Sequence, residues 1–176
     1  VLQGMRSIGP GLKLYGSDLS VDSLAWVENL LGGDVRLFHA DAERIPYQEQ
    51  FDVVGAFDVL EHIDDDAGVL ERLRQTIKSG GGVLLTVPQH MILWSRLDDE
   101  TGHVRRYVGD ELAVKARNTG FNIVLDTCFM GTLFLPQYIS RRWLVNRPGE
   151  EGFEGEHNLP APINAVLKGI LGIELM

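Results

Sequence analysis

Acidic side chains follow three predicted strands of this sequence, each near the point where its strand ends. Asp18 and Asp41 follow the first two strands, and Asp58 follows Phe57 at the end of the third. Ligands bind beyond the carboxyl ends of the strands in an open parallel sheet, so these residues should converge on one cleft. Carboxylates there can accept from ribose hydroxyls (Asp18) and from an adenine amine (Asp41), while Phe57 offers an apolar face to the purine.

Asp18 and Asp41 also have an ordinary structural explanation. Short carboxylates commonly close turns and cap helices, and each aspartate taken alone fits that role equally well. Their joint placement at successive strand ends favours the nucleoside interpretation.

A second group of reactive side chains lies in the run GHVRRY. His103 is a candidate general base or substrate ligand, and Arg105 or Arg106 could pair with an anionic substrate group. Tyr107 and Trp94 are further candidates for substrate contacts. The structural alternative is that the arginines bridge acidic residues among 98–100 and that Tyr107 packs on the sheet.

Strands and helices alternate along the chain and must position these residues. The opening residues read as the end of a helix followed by a turn, and residues 147–162 read as a loop rich in Gly, Glu and Pro. The alternation implies right-handed crossovers and a mostly parallel sheet with flanking helices. Hydrophobic periodicity and turn residues predict strands at 12–17, 35–40, 51–57, 83–87 and 121–129, and helices at 21–31, 64–78, 109–118 and 163–176.

Composition narrows the classes of function. The 176 residues suffice for one domain, and a net charge of -9 argues against wrapping a nucleic acid, so we expect no nucleic-acid partner. Cys128 is the single cysteine, which excludes an internal disulfide and a cysteine zinc site and favours a reducing, cytoplasmic setting. The five histidines lack the spacing of a metal site, so we expect no metal. The sequence has no apolar run long enough to cross a membrane.

Three runs together, YGSDLS, ADAERIPYQEQFDVVGAFDVLEHIDD and IKSGGGVLLTVPQ, resemble class I S-adenosylmethionine-dependent methyltransferases, in the broad group that includes the ubiquinone-biosynthesis enzymes. The resemblance covers roughly residues 5–130. It implies a Rossmann-like α/β fold with strand order 3-2-1-4-5-7-6 and S-adenosylmethionine as the cofactor, lying across strands 1, 2 and 4.

The resemblance also implies roles for individual residues. His62, with Leu60 and Glu61, would begin the segment beneath the reaction site, as a substrate residue or merely as a cap of the next helix. His103 is then the candidate catalytic base. The cofactor-binding positions that it implies are Asp18 and Leu19 at the ribose, Asp41 and Ala42 at the adenine, and Phe57, Asp58 and Leu60 along the cofactor.

One departure from the family pattern is the missing glycine-rich loop. Only 17 residues precede Asp18, and none of them form GxGxG. We therefore expect the family's first strand to lie upstream of Val1 and its last strand to be absent as well. The chain by itself is then expected to be unstable and to bind the cofactor poorly. Residues 1–88 would be the cofactor-binding portion of the single domain 1–176, and residues 89–176 its substrate or lid portion.

The sequence indicates less about the methyl acceptor than about the cofactor. We expect a small-molecule methyl acceptor. The terminal helix could cover the sheet, contact a lipid surface or form a homodimer. The residues that could line an apolar acceptor pocket, or equally pack as core or lid, are Met91, Ile92, Leu93, Trp94, Phe129, Met130, Leu133 and Phe134.

Two other classes of protein share the sheet pattern. An NAD(P)-dependent oxidoreductase has the same acidic residue, but no tyrosine here has a lysine four residues later, which counts against the short-chain dehydrogenase type. A non-catalytic binding module with a degenerate cofactor site is the other alternative, which the joint presence of Asp18 and Asp41 disfavours. A metal-dependent hydrolase fits least.

Overall fold

The computed structural model describes residues 1–9 and 11–141, and beyond them residues 165, 168, 169 and 172. The predicted loop at 147–162 lies outside the described residues. The predicted helix at 163–176 also lies mostly outside them, and its four described residues are helical.

The first half of the described chain is a short helix followed by a βαβ unit. Helix α1 (Leu2–Ile8) precedes strand β1 (Leu14–Asp18), helix α2 (Val21–Leu31) and strand β2 (Val35–His39). Strands β1 and β2 pair in parallel, from Leu14 opposite Val35 to Asp18 opposite His39. The hydroxyl of Ser20 accepts a hydrogen bond from Ser23 N and caps α2.

A second βαβ unit follows, made by strand β3 (Phe51–Phe57), helix α3 (Asp66–Thr76) and strand β4 (Ile77–Thr86). Strands β3 and β4 are parallel, with Phe57 opposite Thr86. Strand β4 begins earlier than the predicted residue 83, because the pairing register shifts and the three glycines lie within the strand rather than before it. A Cβ on Gly81 would lie 2.5 Å from the backbone oxygen of Asp52, so this irregularity requires glycine.

The α/β class and the parallel pairing are confirmed, although the described residues form two separate two-stranded sheets, β1–β2 and β3–β4. Aromatic side chains connect the two units. The rings of Tyr15 and Phe51 are 5.4 Å apart between centroids, and Tyr47 contacts both Phe51 and Phe38 at 5.3 Å. These edge-to-face contacts join the units by side-chain packing.

The core lies between α3 and the β3–β4 sheet. Burial of the side chains that form this core, most of which are leucine or valine, supplies the main stabilisation of the second βαβ unit. The central cluster consists of Ala56, Leu60, Val69, Leu70, Leu73 and Tyr107.

The prediction of a strand at 121–129 is wrong. This segment has no regular secondary structure, and its apolar side chains Val124 and Leu125 are 97% and 78% exposed. The alternating pattern suits a strand, but a strand also needs a neighbouring backbone, and none of the described strands pairs with these residues.

The region after β4 contains more helix than the sequence predicts. Residues 89–108 include a 3-10 turn at Met91–Leu93 and helix α4 (Arg96–Glu100), followed by α5 (Glu111–Asn118) and α6 (Phe134–Ser140). Among the described residues, no helix is long and apolar enough to cross a bilayer.

Candidate functional site

The exits of β1 and β2 lie side by side. Ala40 N donates to the backbone oxygen of Asp18 at 3.3 Å, which fixes the two chain segments against each other. The carboxylate of Asp18 accepts from Ser20 N at 2.8 Å, and that of Asp41 accepts from Glu43 N at 2.9 Å. Both aspartates therefore close turns, as the structural alternative holds. Each turn bond uses one oxygen, and a carboxylate can accept several further hydrogen bonds.

The turn after β2 also contacts the second βαβ unit. Ala42 and Ile45 pack against the core cluster that contains Leu60, and the 3-10 turn at Ala42–Arg44 lies on α3. The structure thus brings Asp41 and Ala42 towards the exit of β3. The joint grip of a nucleoside by Asp18, Asp41 and Phe57 stays a prediction, because the two exits belong to separate sheets.

The exit of β3 has an unusual backbone. Asp58 has a φ of 52°, in the left-handed region that few non-glycine residues adopt. Two hydrogen bonds hold it there, from Asp58 N to Thr86 O at 3.0 Å and from the Thr86 hydroxyl to the Asp58 carboxylate at 3.2 Å. The ring of Phe57 lies over Gly55, where a Cβ would approach it to 2.5 Å. Such strain is common at binding sites.

Glu61 is a buried carboxyl group immediately after this exit. Glu61 is 1% exposed, and its Oε2 atom has no hydrogen-bond partner. Burial raises the pKa of Glu61 to about 7, and the nearby Asp58 charge acts in the same direction. The sequence indicated only that this segment begins beneath the reaction site, because neither burial nor the missing partner is visible in a single sequence.

His62 and His103 lie beside Glu61. Their rings are 4.7 Å apart, and His62 Nδ1 lies 3.3 Å from the carbonyl oxygen of Gly102. Asp65, and not His62, caps α3, so the capping alternative for His62 is wrong.

The two histidines and Glu61 offer nitrogen and oxygen atoms that all lie within 4.8 Å of one another. Carboxylate and imidazole are ligand types that suit divalent metals, and this is the single group of at least three such residues in the described ranges. Our expectation of no metal stays a prediction.

Asp98 is the centre of a second buried group. It is 1% exposed and accepts from His103 Nδ1 at 2.9 Å, from Arg106 Nε at 2.6 Å and from Arg141 Nη1 at 2.8 Å. Burial alone would raise the pKa of Asp98, but the hydrogen bonds from Arg106 and Ser95 and the two arginine charges outweigh burial and lower it. The sequence suggested Asp98 only as a surface partner of arginine.

Arg106 and Tyr107 are engaged within the protein. Arg106 is buried and also donates to Gln89 O at 3.1 Å, while the hydroxyl of Tyr107 donates to Asp66 at 2.7 Å. Trp94 is half-buried, and its indole N–H donates to Asp99 at 3.1 Å. These contacts favour the structural interpretation of Arg106 and Tyr107 over substrate binding.

A groove of about 1620 Å³ runs along the free edge of β4, from the exit of β3 to α6. Its wall contains Asp58 and Thr86 at one end and His90 and Phe134, whose rings are 5.1 Å apart, at the other. Of the eight predicted pocket residues, the groove is lined by Leu93, Phe129, Met130 and Phe134.

Replacing Glu61 by glutamine should remove a pH dependence of stability. In the folded protein the pKa of this carboxyl is about 7, so it stays protonated up to that pH, whereas its ordinary pKa is 4.5. As the pH rises between these values, the wild type should lose roughly 3 kcal/mol of stability relative to the variant. Urea unfolding of both proteins at about pH 5 and about pH 8 measures the change. The same stability difference at both pH values would contradict this placement of Glu61.

Known protein families and individual proteins include relatives of this chain. The family described as "Methyltransferase domain" matches residues 1–125. This chain belongs to that family. It is 36% identical over 76 residues to the ubiquinone biosynthesis O-methyltransferase of Stutzerimonas stutzeri (strain A1501), a match that covers 43% of this chain and 33% of the relative.

Solved structures of methyltransferases share the fold. A phosphoethanolamine N-methyltransferase 2 from Haemonchus contortus, solved with S-adenosyl-L-methionine, superposes with a TM-score of 0.57 at 22% identity and covers 98% of this chain and 42% of its own. An S-adenosylmethionine-dependent methyltransferase from Mesorhizobium loti gives a TM-score of 0.54 at 17% identity, with coverage of 64% and 65%. The chain therefore spans a third to two thirds of the length of these relatives.

Proposed function

We propose that this methyltransferase domain transfers a methyl group from S-adenosylmethionine to a small-molecule acceptor. The observation that supports the proposal is the arrangement at the strand exits, where Ala40, directly after β2, bonds to Asp18 at the end of β1, and where Glu61, shortly after β3, clusters with His103. The named relatives methylate different kinds of atom, one oxygen and one nitrogen, so the class of acceptor is argued from this site. The net charge of -9 supports a small molecule over a nucleic acid.

Residues at the strand exits would hold the cofactor. Asp18 and Leu19, both exposed, would face the ribose, and Asp41 with Ala42 would frame the adenine. Phe57 and Asp58 would line the cofactor after β3. Leu60 is fully buried, so its part would be to support that turn from beneath rather than to touch the ligand.

The acceptor would occupy the groove along β4. Its apolar residues Leu93, Phe129 and Phe134 suit a hydrophobic body, and the end near Asp58 would bring a reactive atom close to the cofactor. The cofactor supplies an electrophilic methyl group on a sulfonium. His103 would accept the acceptor's hydroxyl proton as that oxygen takes up the methyl group that the cofactor would supply. Alignment of the two reacting atoms supplies much of the rate.

His103 is suited to act as this base. Burial lowers the pKa of His103, and the positive charge of Arg106 lowers it too, while the bond to Asp98 works in the opposite direction without reversing the shift. The imidazole is therefore neutral at neutral pH and able to take a proton.

Replacing Asp18 by asparagine should weaken cofactor binding. The amide has one acceptor oxygen and no charge, so it cannot accept both ribose hydroxyls as a carboxylate does. We expect a loss of about 2 kcal/mol, or roughly 30-fold in affinity. Calorimetric titration of the full-length protein with S-adenosylhomocysteine measures it.

Asp52→Asn is the matched control. Asp52 lies at the opposite end of β3 and pairs with Lys78 at 2.9 Å in solvent, so its replacement should leave the affinity unchanged. Equal affinities for the wild type and the Asp18 variant would refute this site. Tight cofactor binding without methyl transfer to any acceptor would instead support a non-catalytic module.

A homodimer through the terminal helix remains a proposal. That segment lies almost entirely outside the described residues. Sedimentation of the full-length protein with and without residues 163–176 tests it.

A further inference from the structure

The carboxylate of Asp98 is fixed by the backbone that carries it. Asp98 is the third residue of α4, and Ser95 N, at the cap of that helix, donates to Asp98 Oδ2 at 2.9 Å. This reciprocal cap holds the side chain in one rotamer. The oxygen on the other side, Oδ1, faces His103 Nδ1 at 2.9 Å.

Two arginines keep this carboxylate ionised. Arg106 Nη2 lies 2.6 Å from Oδ1 and Arg141 Nη1 lies 2.8 Å from Oδ2, and all three side chains are largely buried. Arg141, at the end of α6, also donates to the backbone oxygen of Leu93 at 3.1 Å. An ionised carboxylate accepts hydrogen bonds and cannot donate them. The nitrogen of His103 that faces it must therefore carry the proton.

We propose that Asp98 is a positioning residue, which holds His103 in the tautomer with the proton on Nδ1 and the lone pair on Nε2. The histidine then presents one defined basic nitrogen to an acceptor, the arrangement by which a buried aspartate orients a histidine base in other enzymes. The role of that base rests on the proposed function, whereas the tautomer itself does not.

The surroundings of His103 agree with this assignment. The other groups that face it are His62, Arg106 and the carboxyl of Glu61, and of the contacts described only Asp98 accepts from Nδ1. Burial, with smaller contributions from His62 and Arg106, outweighs the contact with Asp98 and lowers the pKa of His103, which keeps Nε2 free of a proton at neutral pH.

Long-range ¹H–¹⁵N spectra of the full-length protein distinguish the two tautomers directly. At neutral pH we expect His103 to show a protonated Nδ1 and an unprotonated Nε2. A wild-type spectrum with the proton on Nε2 would overturn the proposal without any variant. In Asp98→Asn, where the amide can turn its N–H₂ towards the ring, we expect the proton to move to Nε2.

A chemical readout separates positioning from a purely structural role. Diethyl pyrocarbonate acylates neutral imidazole nitrogen, and peptide mass spectrometry reports the rate at His103. We expect Asp98→Asn to slow this modification about tenfold or more, since the accessible nitrogen would become the protonated one. Asp99→Asn, the neighbouring carboxylate that binds Trp94, is the control and should leave the rate unchanged.

Equal rates in the Asp98 variant and the wild type would refute the positioning role. If Asp98→Asn fails to fold, the wild-type spectrum still decides the tautomer. Failure of the proposed function gives a different result, in which the Nδ1–H tautomer is observed but no acceptor is methylated.

Discussion

Replacing His103 by glutamine is expected to lower the rate of methyl transfer to an oxygen acceptor by about 10²- to 10⁴-fold. Glutamine retains a polar side chain of similar length but cannot take a proton. The rate of a single turnover with labelled S-adenosylmethionine in the full-length protein measures the loss, with phenol as the probe acceptor.

The pH dependence of the methyl-transfer rate is a further test of His103 as the base. Burial lowers the pKa of His103 below its ordinary value of 6.5, so the imidazole becomes charged only as the pH falls beneath that value. The wild-type rate should therefore fall as the pH drops below 6.5 and should be constant above pH 6.5. The rate of the glutamine variant should not fall in this way. Thiophenol is the control acceptor, because it ionises by itself and needs no base. An equal loss with both acceptors would show that His103 does not act as a base.

The second large effect is expected at Asp66, in the first turn of α3. Its carboxylate accepts from the Tyr107 hydroxyl at 2.7 Å and from Lys115 Nζ at 2.6 Å, and it pairs with Arg105 at 2.9 Å. Asp66→Ala would leave a buried hydroxyl and two partly buried cations without their shared acceptor. We expect a loss of about 3 kcal/mol in the free energy of unfolding.

Chemical denaturation of Asp66→Ala, with Asp65→Ala as the matched control, measures this effect. Asp65 caps the same helix by accepting from Gly68 N at 2.9 Å, and its loss should cost about 1 kcal/mol. Adding Tyr107→Phe to Asp66→Ala should cost less than in the wild type, because the hydroxyl has already lost its partner. Equal losses for the two aspartates would contradict the importance of this network.

Asp66 also adds a pH dependence. Burial would raise the pKa of Asp66, but the hydrogen bonds from Lys115 and Tyr107 and the charges of Lys115 and Arg105 hold it below its ordinary value of 3.8. The stability that it contributes is thus present above that value and is lost as the pH falls through the lower pKa of the folded state.

Local patterns in the sequence were sufficient to predict the elements that carry the strand exits. Helix α2 begins after Ser20 and ends before a glycine pair, and β3 is a continuous apolar run, so both elements have the predicted bounds. Their caps and periodicities are local properties. The segment 121–129 has an equally good local pattern, but a strand also depends on a partner that lies elsewhere in the chain.

The buried charges of the site could not be predicted in the same way. The sequence predicts Asp98 only as a surface partner of arginine, and it places Glu61 beneath the reaction site without indicating its burial, because charged side chains usually lie at the surface. Their burial results from long-range contacts, such as Arg141 with Asp98, which are 43 positions apart. The spacing of Asp98 and His103, five positions apart along the chain, could have suggested the pair, but the turn at 101–102 that follows α4 leaves its geometry undetermined by spacing alone.

The two βαβ units each close their own backbone pairing between strands near in sequence, and side-chain packing joins one unit to the other, through the aromatic rings and through Ala42 and Ile45 on the core cluster. Such an architecture allows each unit to open as a separate cooperative block. A nucleoside bound at both strand exits would hold the two units together. It would add about 2.7 kcal/mol to the free energy of unfolding at a ligand concentration 100 times its dissociation constant. Saturating ligand would then merge two melting transitions into one.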